Sequence, residues 1–127
     1  MALQSYRDLV AWQKAMDLVE EVYRLSRLLP KDELYGLTSQ IRRAAVSIPS
    51  NIAEGYGRLH RKEYINHLSI ARGSLMEVET QIELTVRLGY LDREQIRIAW
   101  SLAQEVGKLL NSLLRSLGAR SDQDPTP

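Results

Sequence analysis

Apolar residues recur at three- and four-residue spacing along nearly the whole chain, and no segment alternates with period two. The pattern predicts four helices and no strands. The first spans about Asp8 to Leu29, with Trp12, Met16, Val19 and Tyr23 as one seam. Ala11, Ala15, Leu18, Val22, Leu25 and Leu29 widen that face to about half the wheel. Ser5 with Asp8 reads as its N-terminal cap. Pro30 reads as its stop, because the residue before a proline avoids helical angles.

Lys31 to Gly36 reads as a loop. The second helix spans about Leu37 to Tyr56, with Leu37, Ile41, Ala44, Ala45, Ile48 and Ile52 facing the core. Gly55 and Gly57 are expected to end it with left-handed or unwound backbone. The third spans about Arg61 to Leu88, with Tyr64, Leu68, Ala71, Leu75, Val78, Ile82 and Val86 on one face and Gly89 after its end. Asp92 with Gln95 reads as a capping box opening the fourth, which runs to about Leu117 before Gly118. Short connections make neighbours antiparallel, so the expected fold is all-α, an up-down-up-down four-helix bundle over residues 5–117. Residues 118–127 read as a disordered tail. The first and fourth helices carry apolar faces wider than a monomeric bundle needs, which points to self-association.

The second helix is unusual twice over. Pro49 lies inside it, where a proline removes one hydrogen bond and costs about 3 kcal/mol. A continuous helix kinked at Pro49 is expected, with Ser47 and Ser50 re-bonding the freed backbone. Projected at about 100° per residue, the helix also shows three stripes. One is the core seam. A second is polar: Gln40, Arg43, Ser47, Asn51 and Glu54. A third is small and weakly apolar: Val46, Pro49 and Ala53, flanked by Arg42. The polar stripe borders the core, so its members need hydrogen-bond partners. The third helix offers Ser74, Glu77 and Gln81 on one line, with Arg72 and Glu79 on the opposite flank. Pairs such as Arg43–Glu77 or Arg72–Glu54 are candidates, and a network of this kind fixes helix register or a subunit contact. Gly73, in mid-helix, costs about 1 kcal/mol relative to alanine, which close approach of another backbone would explain.

Composition narrows the chemistry. The 127 residues fit one domain, with 44% hydrophobic and 26% charged residues. There is no cysteine, so disulfides, thiolate metal sites and cysteine nucleophiles are excluded. No apolar run approaches the roughly 20 residues needed to span a bilayer, and no secretion signal follows Met1, so a cytoplasmic protein without membrane contact is expected. The formal net charge is +1, without the basic excess usual for gripping nucleic acid. One local basic cluster exists at the turn between the second and third helices: Arg58, His60, Arg61 and Lys62, near Tyr56 and Tyr64. No nucleophile–base set, phosphate loop or Rossmann glycine pattern is present. His60, Glu63 and His67 share a helix face, yet solvated side chains explain them better than a metal. No cofactor and no enzyme activity are expected.

Three segments resemble a known family. They are Arg7-Asp8-Leu9-Val10-Ala11-Trp12-Gln13-Lys14-Ala15, the stretch from Tyr35 to Gly55, and Ile70-Ala71-Arg72-Gly73-Ser74-Leu75-Met76-Glu77-Val78-Glu79. The chain is similar, over residues 5–117, to the four-helix-bundle proteins first noted in intervening sequences of bacterial 23S ribosomal RNA genes. The resemblance implies a four-helix bundle that assembles as a homopentamer. A related branch, the accessory protein of diversity-generating retroelements, is strongly basic and binds a reverse transcriptase and nucleic acid; this chain departs from it in charge. Two functions follow as expectations. One is a non-enzymatic homo-oligomeric scaffold or adaptor whose main partner is itself. The other is an RNA- or DNA-associated accessory protein using the basic turn.

Overall fold

The computed structural model describes residues 4–118, and the tail expected beyond Gly118 lies outside them. Four helices, α1 (Val10–Ser26), α2 (Leu37–Tyr56), α3 (Arg61–Arg87) and α4 (Arg97–Ser116), make up the fold. Two 3-10 turns, Tyr6–Asp8 and Lys31–Glu33, precede α1 and α2. Each helix packs on its chain neighbour, α1 also packs on α4, and α1 and α3 do not meet. The helices therefore stand at the corners of a bundle. Between α2 and α3, paired positions ascend one helix as they descend the other: Ser47 meets Ser74 and Asn51 meets His67. Ser26 meets Arg42 between α1 and α2.

The element bounds follow local chemistry. Ser5 and Asp8 form a reciprocal capping box, but on the 3-10 turn rather than on α1. α1 ends at Ser26, earlier than a stop at Pro30 requires; Pro30 instead opens the second 3-10 turn with extended backbone. Asp92 and Gln95 also cap each other's backbone, and one further turn separates them from the regular start of α4 at Arg97. Gly89 and Gly118 follow α3 and α4 with φ of 78° and 79°, the left-handed backbone that glycine adopts without steric cost.

α2 runs unbroken through Pro49, which is buried. Gly55 and Gly57 do not supply the left-handed backbone expected of them: neither has positive φ, and Gly55 lies inside α2. Gly55 is small for another reason. A Cβ placed there would lie 2.7 Å from His67 Cβ and 3.1 Å from Tyr64 Cδ1, so α2 and α3 touch at this point. Gly73 behaves in the opposite way: a Cβ there meets nothing within 4 Å, and the close approach expected at that position is absent among the described residues.

The core seam of α1 is also not the one expected. Ala11, Ala15, Leu18, Val22 and Leu25 are buried, while Trp12, Val19 and Tyr23 are half-buried and Met16 is exposed. Both lines have helical spacing, and the positions of α2 and α4 decide which one turns inward. The surplus apolar residues of α4 are largely absorbed at home, since Leu102, Leu109, Leu113 and Leu117 pack partly buried against the core.

At the end of α3, Arg93 Nη1 and Nη2 donate to the two Glu83 oxygens at 2.8 and 3.0 Å, and Arg87 Nε donates at 3.1 Å. These bonds hold the Glu83 carboxyl down at about 2, from 4.5. The folded chain thus binds this proton more weakly than the unfolded one. The stabilisation is complete above about 4.5 and disappears as pH falls toward about 2. Glu83→Gln is expected to flatten the pH dependence of stability in that window and to leave it unchanged above it. Urea unfolding at stepped pH checks this.

Candidate helix-locking site

The polar stripe of α2 becomes a hydrogen-bonded chain at the seam with α3. The Ser47 and Ser74 hydroxyls lie 2.8 Å apart, and either can donate. Asn51 Nδ2 donates to the Ser47 carbonyl at 2.9 Å and to Ser47 Oγ at 3.0 Å. That use of the amide nitrogen turns Asn51 Oδ1 toward His67, whose Nδ1 lies 3.1 Å away and donates to it. Glu54 Oε2 follows at 3.9 Å from His67 Nδ1, and Glu54 Oε1 is 3.6 Å from Arg58. Arg58 also reaches Glu63 at 4.0 Å. The inner members carry the geometry: Ser74 is buried, Ser47 and Asn51 are half-buried, and the His67 side chain is 15% exposed. The exposed outer ion pairs contribute little.

Other members of the sequence-derived set lie apart. The side chains of Gln40, Arg43, Arg72 and Glu77 are exposed and join no hydrogen bond or ion pair among the described residues, so neither Arg43–Glu77 nor Arg72–Glu54 forms. The reason is rotation. α3 presents Ser74 and His67 to α2, which carries Arg72 and Glu77 round to solvent. Glu79 is half-buried, and burial raises its carboxyl above the usual range. Gln81 is buried, and its Oε1 has no partner among the described residues.

Two further locks escaped the sequence reading. Arg42 Nε donates to Ser26 Oγ at 2.7 Å, and its guanidinium stacks 4.9 Å from the Tyr23 ring centre, joining α2 to α1. Glu33 Oε1 accepts the first N–H of α2, from Leu37, at 3.0 Å, and Glu33 Oε2 accepts the Tyr90 hydroxyl at 2.8 Å. The Leu37 N–H foremost, then the Tyr90 hydroxyl, lower the Glu33 carboxyl, and the bond to Glu33 raises the Tyr90 hydroxyl. Glu33 and Leu37 lie four residues apart, within reach of a local capping signal. Arg42, His67 and Tyr90 lie 16, 16 and 57 residues from their partners, and no local signal marks them.

The basic turn is partly committed to structure. Arg58 is paired with Glu54 and Glu63, and Arg61 Nη1 donates to the Leu117 carbonyl at the end of α4. The His60 and Lys62 side chains are exposed and join no bond among the described residues. No three His, Asp or Glu side chains converge on a metal position among the described residues. No helix among them is long and apolar enough to cross a membrane.

Two apolar grooves flank the bundle. The first, about 340 Å³, runs between α1 and α2 over Trp12, Met16, Val19, Val46, Pro49 and Ala53. The second, about 390 Å³, lies between α3 and α4 against Thr80, Leu84 and Trp100, with Glu79, Glu83 and Arg87 at its rim.

Comparison with known proteins fits this architecture. The family described as 23S rRNA-intervening sequence protein matches residues 7–112. The chain is also similar to a crystal structure from Bacteroides thetaiotaomicron VPI-5482, a protein with unknown function from the S23 ribosomal protein family. Sequence identity is 30%, the TM-score is 0.78, and the match covers 84% of this chain and 99% of the other. No curated protein matches. The match spans all three sequence segments that carry the resemblance, and the chain belongs to the 23S rRNA-intervening sequence protein family.

Proposed function

We propose that this chain is a non-enzymatic, self-assembling helical scaffold or adaptor of the cytoplasm, with the five-fold assembly that the family resemblance implies. The observation that carries this reading is the apolar surface on two sides of the bundle, in the α1/α2 groove and around Leu84 and Trp100. Apolar patches of this kind mark association surfaces. The polar groups of the α2 motif support it as well, because Ser47, Asn51, Ser74 and His67 bond one another and so hold helices together.

Light scattering on the full chain tests it. The expected mass is a multiple of 14.5 kDa, five-fold in the pentameric form, held across dilution into the low micromolar range. A 14.5 kDa species throughout overturns it. A second reading, nucleic-acid association, is favoured by one observation: His60 and Lys62 stand exposed and uncommitted at the α2–α3 turn. Repetition round a ring multiplies weak contacts. Its signature is retention of structured RNA at low ionic strength that falls with salt and is lost on Lys62→Glu.

A further inference from the structure

Gly73 is exposed in the middle of α3, and nothing within 4 Å of its would-be Cβ accounts for a glycine there. The same outward face of α3 carries Ile70, Met76 and Leu84, each 40–47% exposed. Exposed Glu77 and Thr80 share this face, and a residue without a side chain among them makes a notch where a second backbone can approach closely. The α1/α2 groove has the matching form. Its floor is made of small or rigid residues, Val46, Pro49 and Ala53, and its wall is Trp12, held by the Tyr6 ring edge-on at 5.2 Å and by the Arg7 guanidinium at 5.7 Å. Such a preformed wall loses little freedom on binding.

The two surfaces lie on different sides of one copy, because α1 and α3 occupy opposite corners and do not touch. One pair of opposite charges is free to meet. Among the described residues Glu79 flanks the α3 line without a cation partner, and Arg27 borders the upper end of the groove, with Val19, Glu20 and Tyr23, without a carboxylate partner. Their heights agree. The Ser47–Ser74 contact brings Glu79 level with Arg42, and the Arg42–Ser26 bond brings that level to the end of α1 beside Arg27. The same register brings Gly73 level with Ile48, one residue before Pro49.

We propose that the outer face of α3 in one copy docks along the α1/α2 groove of a second copy, with Gly73 as the point of closest approach and Glu79 beside Arg27. This rests on the self-assembly reading and specifies its contact. The contact joins unlike surfaces, so it propagates head to tail, the type of contact that a five-fold ring requires.

The absence of cysteine allows a clean test. Ser50→Cys and Gly73→Cys chains, co-expressed and oxidised, are expected to give a disulfide-linked pair of twice 14.5 kDa, which neither variant gives alone. A disulfide needs Cα atoms within about 7 Å, so it reports the contact itself. Gly73→Arg, which meets open space within its own chain, is expected to keep its helical circular dichroism while light scattering falls to 14.5 kDa. An intact oligomer in Gly73→Arg with no mixed disulfide overturns the docking face and leaves self-assembly standing. A monomeric parent protein overturns both.

Discussion

Gly55→Leu is expected to destabilise the protein by about 3 kcal/mol, the upper end of the usual cost of overpacking. The cause is the contact between α2 and α3. The first side-chain carbon alone would sit 2.7 Å from His67 Cβ, 3.1 Å from Tyr64 Cδ1 and 3.3 Å from the Tyr64 carbonyl oxygen. The nearest obstructing atom, His67 Cβ, is attached directly to the backbone and the Tyr64 carbonyl belongs to it, so a rotamer change moves only the Tyr64 ring out of the way. The helices have to part, which also strains the Asn51–His67 bond four residues away on α2. Helix propensity pulls the other way, since replacing glycine in a helix gains up to about 1 kcal/mol. Overpacking wins at Gly55. At Gly73 nothing opposes the gain within one chain, so Gly73→Ala is expected to stabilise the dissociated chain. Urea unfolding of both variants reads the opposite signs. Equal behaviour at the two glycines would contradict the packing described.

Asn51→Leu is expected to cost about 2–3 kcal/mol, because it strips partners from groups held away from water. The size is conserved and the change is chemical. The His67 Nδ1 proton loses its acceptor, and Ser47 Oγ loses the donor from the same helix. His67 is mostly screened from solvent, so water replaces the amide only if the seam opens. Gln40→Ala and Arg43→Ala, on the same stripe but exposed and unbonded, are expected to stay within about 0.5 kcal/mol of the parent. A comparable loss at all three positions would mean that the stripe acts through helix propensity rather than through the seam.

These contrasts mark where the sequence was legible. The number of helices and the bounds of α2, Leu37–Tyr56, were legible from periodicity, although the glycines at its end do not act by the left-handed backbone expected of them. So was the pairing of Asp92 with Gln95. The inward line of α1 was not legible, because two apolar lines of helical spacing compete and only the neighbouring helices choose between them. The same limit separates Gly55 from Gly73, which are alike as letters and opposite in their surroundings. In the polar stripe, Ser47, Asn51 and Ser74 could be picked out from their place beside the core. Arg43 and Gln40 could not be told from them, because their outcome depends on the rotation of α3. His67 read as a weak metal candidate. It becomes a structural donor only once the register between α2 and α3 is known.

A double-mutant cycle between Asn51→Ala and His67→Ala, scored by urea unfolding, tests most directly whether the α2 motif is architecture. Removing either partner should cost stability, and removing the second should cost much less than it does alone, with a coupling of about 1 kcal/mol. Additivity within about 0.3 kcal/mol would contradict it, and the chain of bonds from Ser74 to His67 would then not be what holds α2 to α3.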